Sequence, residues 1–301
     1  MDKRLLLIMN PYAGQKTGKK HLADILELFC KAEYVPTVFM TTGVGDGYAL
    51  AKAHAAEADL VVCIGGDGTF NEVVSGVIDS GADVPIGYIP CGSTNDFAAG
   101  LKLSKTPLQA AKDILKGKPQ TYDVGDFGGR FFSYVASFGA FTRASYATPQ
   151  NLKNALGHLA YILEGIKDLP NIRPVHMRVE TADATFEGDY IFGAISNSTS
   201  LGGILTIDPD TVDMNDGLFE LLLIKYPRTA AELNECIRCL QEKNYQSSML
   251  TFHSTDRLTV YTDESVDWTL DGEHERGRAQ IEVTNRHNAF RLITNKKEGA
   301  R

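Results

Sequence analysis

No part of this chain is apolar for the roughly 20 residues that a membrane-spanning helix needs; the apolar run in "MDKRLLLIMN" is far shorter and reads as a first strand. There are no internal repeats, no low-complexity tracts and no long linker. Positive charge is not in excess. Thirty Lys plus Arg stand against 38 Asp plus Glu, a formal charge of -8, so bulk electrostatics draws in neither nucleic acid nor an anionic bilayer, and a polyanionic partner needs a local basic patch. Cysteine is sparse and odd in number: Cys30, Cys63, Cys91, Cys236 and Cys239 form no disulfide framework. Cys236 and Cys239 make a C-x-x-C pair, but they fall in the helix-like run "TAAELNECIRCLQEKN" and no second pair completes a tetrahedral zinc site. Nothing at the N-terminus resembles an export signal, and a reducing cytoplasm is expected.

What is present is ordinary globular material, 43% hydrophobic and 23% charged, in 301 residues, a length that suits two well-cored domains. The first 120 or so residues alternate strand-like and helix-like runs: "RLLLIMN", "KKHLADILELFCKAE", "VPTVFMTT", "GYALAKAHAAEA", "DLVVCI". That alternation predicts crossover connections and a mainly parallel sheet. From about residue 120 the texture turns to short β-rich runs with turn residues between them, which predicts an antiparallel sandwich. The expected division is 1–124 with 289–301 as an α/β domain, and 125–288 as a β-sandwich domain with two helices, "NLKNALGHLAYILEGIKDL" and "TAAELNECIRCLQEKN".

Three loops follow strands of the α/β part. "CIGGDGTFNEVVSG" runs from a buried strand through Gly65, Gly66, Asp67 and Gly68 into an amphipathic helix carrying Phe70, Val73, Val74 and Val77. Strand, glycine turn and helix together present free N–H groups and the positive end of a helix dipole to an anion. A carboxylate among phosphates is repulsive unless a divalent cation or a proton donor is near, so Asp67 argues for Mg²⁺; taken alone, Asp-Gly reads first as a turn. "PCGSTNDFAAGL", residues 90–101, repeats the form, with Asn95 and Asp96 placed as caps. "NPYAG", residues 10–14, adds a third small polar turn. All three are expected at the carboxyl edge of the sheet, where α/β proteins bind ligands.

"GGDGTFNEVVSG", "GSTNDFA" and "LDGE" near the C-terminus, in this order and spacing, resemble the diacylglycerol kinase catalytic family, which includes bacterial soluble lipid kinases. "GGDG" alone is shared with NAD kinases and phosphofructokinases. The resemblance implies a nucleotide-binding α/β domain, a β-sandwich domain and an active site between them. It implies ATP contacts at Asn10, Pro11, Tyr12, Ala13, Gly14, Thr41, Gly66, Asp67, Gly68, Thr69, Phe70, Asn71, Glu72 and Thr94. It further implies that Asp67, Asp96 and Asp123 organise Mg²⁺ and water around the phosphates, that Glu273 is the general base, and that Asp213, Asp216 and the Leu218 carbonyl of "DMNDGL" bind a structural Mg²⁺. Two departures stand out: Gly92-Ser93 where the family more often has Gly-Thr, and Ala99 where it often has arginine.

Phosphoryl transfer asks a protein mainly for positioning and charge neutralisation, and a carboxylate within reach of the acceptor hydroxyl takes its proton. The expected activity is therefore transfer of the γ-phosphoryl group of ATP to a lipid hydroxyl, that of diacylglycerol first, at the inner face of the membrane, with no nucleic-acid partner. A homodimer is left open. The alternatives are a soluble-substrate kinase of the NAD kinase type and a non-catalytic nucleotide or lipid sensor. "TLDGEHE" also reads as a hairpin turning at Asp271-Gly272. The leucine stripe of residues 151–169 reads as domain packing or as a membrane-facing helix.

Overall fold

The computed structural model describes residues 3–14, 17–139, 173–198, 200–201, 205–206, 213–242, 244–245 and 247–295. The helix expected over 151–169 lies outside them. The chain forms two compact units, Met1–Asp123 with Asn288–Arg301, and Val124–His287.

The first unit is built on β1 (Lys3–Met9), β2 (Tyr34–Met40), β3 (Leu60–Gly65) and β4 (Pro85–Pro90), all parallel, in the order β2-β1-β3-β4. The end of the last strand, Gln280–Thr294, extends this sheet, with Arg291 and Leu292 parallel to Pro85 and Ile86. β3 is buried along its whole length and β1 and β4 nearly so, as expected of strands covered on both faces by crossover helices. The helices are α1 (Thr17–Lys20), α2 (Leu22–Lys31), α3 (Asp46–His54), α4 (Asp67–Ser80), α5 (Asp96–Gly100) and α6 (Pro107–Lys116). Leu5, Leu7, Val62, Ile64 and Ile89 pack with Ile25 and Phe29 of α2 and Ala110, Ala111 and Ile114 of α6. A small residue is required where α4 crosses α3: a Cβ on Gly76 would lie 2.4 Å from the Tyr48 carbonyl.

The second unit is mostly antiparallel. β5 (Lys118–Phe127) enters it and turns through Gly128-Gly129 into β6 (Arg130–Phe132), followed by β7 (Val135–Gly139). β8 (Val175–Thr181) pairs with the first half of β9 (Thr185–Ser196), whose second half lies between β7 and a later strand. After the short pair β10 (Ser200–Leu201) and β11 (Leu205–Thr206), that later strand is β12 (Phe219–Lys225). Then come α7 (Ala230–Gln241), β13 (Leu250–Thr255), β14 (Arg257–Thr262), β15 (Trp268–Leu270), β16 (Glu273–Glu275) and β17 (Gln280–Thr294). A core of Phe127, Phe132, Phe138, Phe219, Trp268 and aliphatic residues holds these strands. α7 starts at a capping box, Thr229 with Glu232, and buries both Cys236 and Cys239. Both side chains are buried, and burial pushes the Cys236 thiol up to about 12, which suits packing of the helix face.

Candidate active site

The three glycine loops of the first unit meet. A Cβ on Gly14, where φ is +51°, would stand 2.4 Å from the Cys91 carbonyl, and a Cβ on Gly92 would stand 2.6 Å from the Gly66 Cα. The loops after β1, β3 and β4 therefore touch backbone to backbone, a distance only glycine permits. Asn10 ties two of them together: its Nδ2 donates to the Thr69 hydroxyl at 3.1 Å, while its Oδ1 accepts from the Tyr12 N–H at 2.9 Å.

Asp67 is the first residue of α4, whose N-terminus opens among these loops. Its carboxylate accepts from the N–H groups of Asp96 at 3.0 Å and Phe97 at 3.3 Å, and from the Thr94 hydroxyl at 3.3 Å. It thus caps α5 from another segment of the chain, satisfying donors that a helix start leaves over. The cap expected from Asn95 is corrected. Asn95 does sit at the N-cap, with φ 55°, but its side chain turns back to Gly92, accepting that N–H at 2.8 Å and donating to that carbonyl at 2.9 Å. Burial pushes the Asp67 carboxyl up while the amides and hydroxyl pull it back. Asp96 is pushed up to about 6, first by burial and then by the Asp67 charge. Two carboxylates thus share one poorly solvated place beside a helix N-terminus.

A ring cluster holds the acid-bearing segments. Phe70 stacks on Tyr88 and Phe97 at 4.3 and 4.8 Å, and Phe290 reaches Phe70 at 6.2 Å and Tyr122 at 5.8 Å. Asp96 precedes Phe97 and Asp123 follows Tyr122, so each is placed by an anchored neighbour. Asp123 is buried and accepts the Asn288 N–H at 2.7 Å. Phe70 is fully buried in this cluster, and its ring serves as support. The Glu72 carboxylate accepts from the N–H groups of Gly45 at 2.7 Å and Gly47 at 3.0 Å, clamping the start of α3 and the loop that follows Thr41.

In the second unit, Leu270 pairs with Glu273 across a two-residue turn, Asp271 at φ 49° and Gly272 at φ 86°. This is the Asp-Gly hairpin geometry expected of the sequence. The turn does more than reverse the chain. The buried Asp271 carboxylate accepts from the N–H groups of Ser133 at 2.5 Å and of Tyr134 and Val135 at 3.0 Å each. Glu273, the next residue but one, is 39% exposed at its side chain and paired with Arg130 at 2.7 Å. Neither Asp271 as an anchor nor Arg130 as a partner is signalled by the sequence, since their partners lie about 140 residues away.

Asp213 and Asp216 are exposed; Asp216 accepts the Leu218 N–H at 2.9 Å, and the Leu218 carbonyl accepts from Asn285 Nδ2 at 3.0 Å. Beneath them Glu220 is 2% exposed, and burial followed by the charges of Asp216 and Asp213 pushes its carboxyl up to about 8. Its Oε2 and the Asn285 Oδ1 have no hydrogen-bond partner among the described residues. Concentrated negative charge with orphaned oxygens is the donor chemistry a hard cation suits. Among the described residues no three His, Cys, Asp or Glu side chains converge on one metal position, so an ion at either acidic place would complete its shell with carbonyl, phosphate or water oxygens. No helix among the described residues is long and apolar enough to cross a membrane.

Residues 4–127 match the diacylglycerol kinase catalytic domain, and residues 135–294 match the YegS C-terminal NAD kinase beta sandwich-like domain. A diacylglycerol kinase of Bacillus subtilis is 34% identical over 274 residues, 90% of each chain. One of Staphylococcus saprophyticus is 29% identical over 276 residues, 91% of this chain and 90% of that one. A crystal structure of a diacylglycerol kinase from Bacillus anthracis matches with TM-score 0.74 at 20% identity, and another solved chain of that organism with 0.79 at 24%, each over 97% of both chains. At those identities the structures speak for the fold alone.

Proposed function

Because the chain belongs to the diacylglycerol kinase family of lipid kinases, we propose that it moves the γ-phosphoryl group of ATP to the free hydroxyl of diacylglycerol, giving phosphatidic acid and ADP. The observation that carries this reading is the contact of the Gly14, Gly66 and Gly92 loops around the start of α4, with the buried Asp67 and the half-buried Asp96 beside it. The start of α4 carries no side-chain cap, which leaves its N–H groups to receive phosphate oxygens, and Asn10, Thr41 and Thr69 border the same edge. Asp67, Asp96 and Asp123 would hold Mg²⁺, chiefly through water because Asp67 already accepts three hydrogen bonds. When bound, the ion neutralises charge on the phosphates. Asp213, Asp216 and the Leu218 carbonyl would hold a second, structural ion.

Glu273 accepts the proton of the lipid hydroxyl as its oxygen bonds to the γ-phosphorus, and the bond to the β-phosphate oxygen breaks with its electron pair leaving on ADP. The acceptor resides in a bilayer, so the enzyme works as a peripheral protein at the membrane surface. Incubation with labelled ATP, Mg²⁺ and a panel of diacylglycerol, phosphatidylglycerol, ceramide, polyprenol and NAD tests the assignment. Labelled phosphatidic acid is expected; label in NAD without lipid, or in no acceptor, overturns it. Glu273→Gln should lower kcat about 10²- to 10⁴-fold with an unchanged melting midpoint.

A further inference from the structure

Two tight hairpins of the second unit end side by side, and their first residues beyond the turn are joined. β5 and β6 turn at Gly128-Gly129 (φ 57° and 97°), with Phe127 paired to Arg130, and Asp126 accepts the Gly129 N–H at 2.7 Å. β15 and β16 turn at Asp271-Gly272, with Leu270 paired to Glu273. Arg130 Nη2 donates to Glu273 Oε2 at 2.7 Å, while Nη1 donates to Glu275 Oε2 at 2.7 Å and to the His274 carbonyl at 3.1 Å.

Glu273 and Glu275 lie two apart on β16 and so share a face, where the two like charges repel unless a cation stands between them. Glu275 is held from its other side as well: its Oε1 accepts from Arg278 Nη2 at 3.0 Å, and Arg278 Nη1 donates to the Gly128 carbonyl at 3.1 Å. The glycine at 128 leaves room for this, since a Cβ there would stand 2.6 Å from Arg278 Nη1. The chain of charges therefore runs Glu273, Arg130, Glu275, Arg278 and closes on the turn that presents Arg130. Three of its members are tied twice, and Glu273 is the end of the chain: its Oε1 makes no hydrogen bond to any described residue.

We infer that Arg130 is the positioning residue of Glu273, holding Oε2 with one guanidinium nitrogen so that Oε1 is the oxygen presented to the acceptor hydroxyl. The inference rests on the reading of Glu273 as the base. A half-exposed glutamate has three side-chain torsions to fix, and the planar fork of arginine fixes two carboxylates at once in a way that a lysine ammonium does not. Orientation of this kind governs kcat, because a small misplacement of a reacting group is costly, and leaves ATP binding alone.

Steady-state kinetics of Arg130→Gln, Arg130→Lys, Arg130→Ala and Glu273→Gln, each with a thermal-unfolding control, test this. Arg130→Gln is expected to lose about 10²-fold in kcat with an unchanged KM for ATP and an unchanged melting midpoint. Arg130→Lys should recover part of the loss, and free guanidinium should rescue Arg130→Ala but not Glu273→Gln. If Glu273→Gln is inactive while Arg130→Gln and Arg130→Lys both turn over at the wild-type rate, Arg130 does not position the base and the inference is wrong. If Glu273→Gln itself turns over like wild type, the base assignment falls and this inference falls with it.

Discussion

The two units hold their carboxylates by different means. In the first, the buried Asp67 carboxylate is fixed by backbone N–H groups, the half-buried Asp96 is placed by the packed ring of Phe97 beside it, and both are pushed toward the protonated form. In the second, Glu273 is half-exposed and held by a side chain, with only its turn anchored by backbone, through Asp271. A carboxylate set in amides cannot swing, which suits the phosphate and metal role proposed for Asp67. One tethered by a guanidinium at the protein surface can meet a bulky acceptor and still be aimed.

The comparison is most sharply strained by Asp67→Ala. It removes the phosphate-side charge and also orphans the N–H groups of Asp96 and Phe97, so a loss of at least about 10³ in kcat should come with about 2–3 kcal/mol of stability, read by kinetics and denaturant titration. Asp271→Ala lies two residues from the proposed base yet should act on the fold first. Three buried N–H groups lose a charged acceptor, and about 3–5 kcal/mol of unfolding free energy should go with it, whereas Glu273→Gln leaves that quantity unchanged. Equal stability loss in the two variants would erase the distinction between anchor and aimed group.

The smallest effect concerns pH. Asp96 is raised to about 6 in the folded protein, so the fold binds its proton more tightly than the unfolded chain does. Relative to the unfolded chain, this group therefore destabilises the metal-free protein progressively as pH climbs from about 4 to about 6, and steadily above. Asp96→Asn should make the metal-free protein about 1–2 kcal/mol more stable at pH 7–8, after solvent screening, with the gain vanishing near pH 4, while activity with Mg²⁺ is lost. Denaturant titrations across pH measure it; a gain that persists at pH 4 would mean the charge is not the cause.

Much of this was legible in the chain. The parallel strands of the first unit follow from runs such as "DLVVCI", apolar on both faces, and the mostly antiparallel second unit from alternating runs broken by Gly-Gly and Asp-Gly turns. The loops after β3 and β4 were legible because each is a contiguous strand, glycine turn and helix. The rest depends on distant pairs: Asp67 capping α5 in place of Asn95, Arg130 meeting Glu273, and Ser133 to Val135 donating to Asp271. No local periodicity encodes which arginine finds which glutamate. Glu72 teaches the same lesson within a motif, since its carboxylate serves Gly45 and Gly47.

The hydrogen bond from Asn288 to Asp123 joins the two places where the chain passes between the units. During synthesis, the first unit therefore emerges unfinished: its outermost parallel strand and the partner of one of its acids come only after the whole second unit has been translated. At typical ribosomal speeds that is a wait of roughly ten seconds or more. A nascent chain thus carries its three glycine loops early but lacks the N–H that Asp123 accepts until Asn288 has been made.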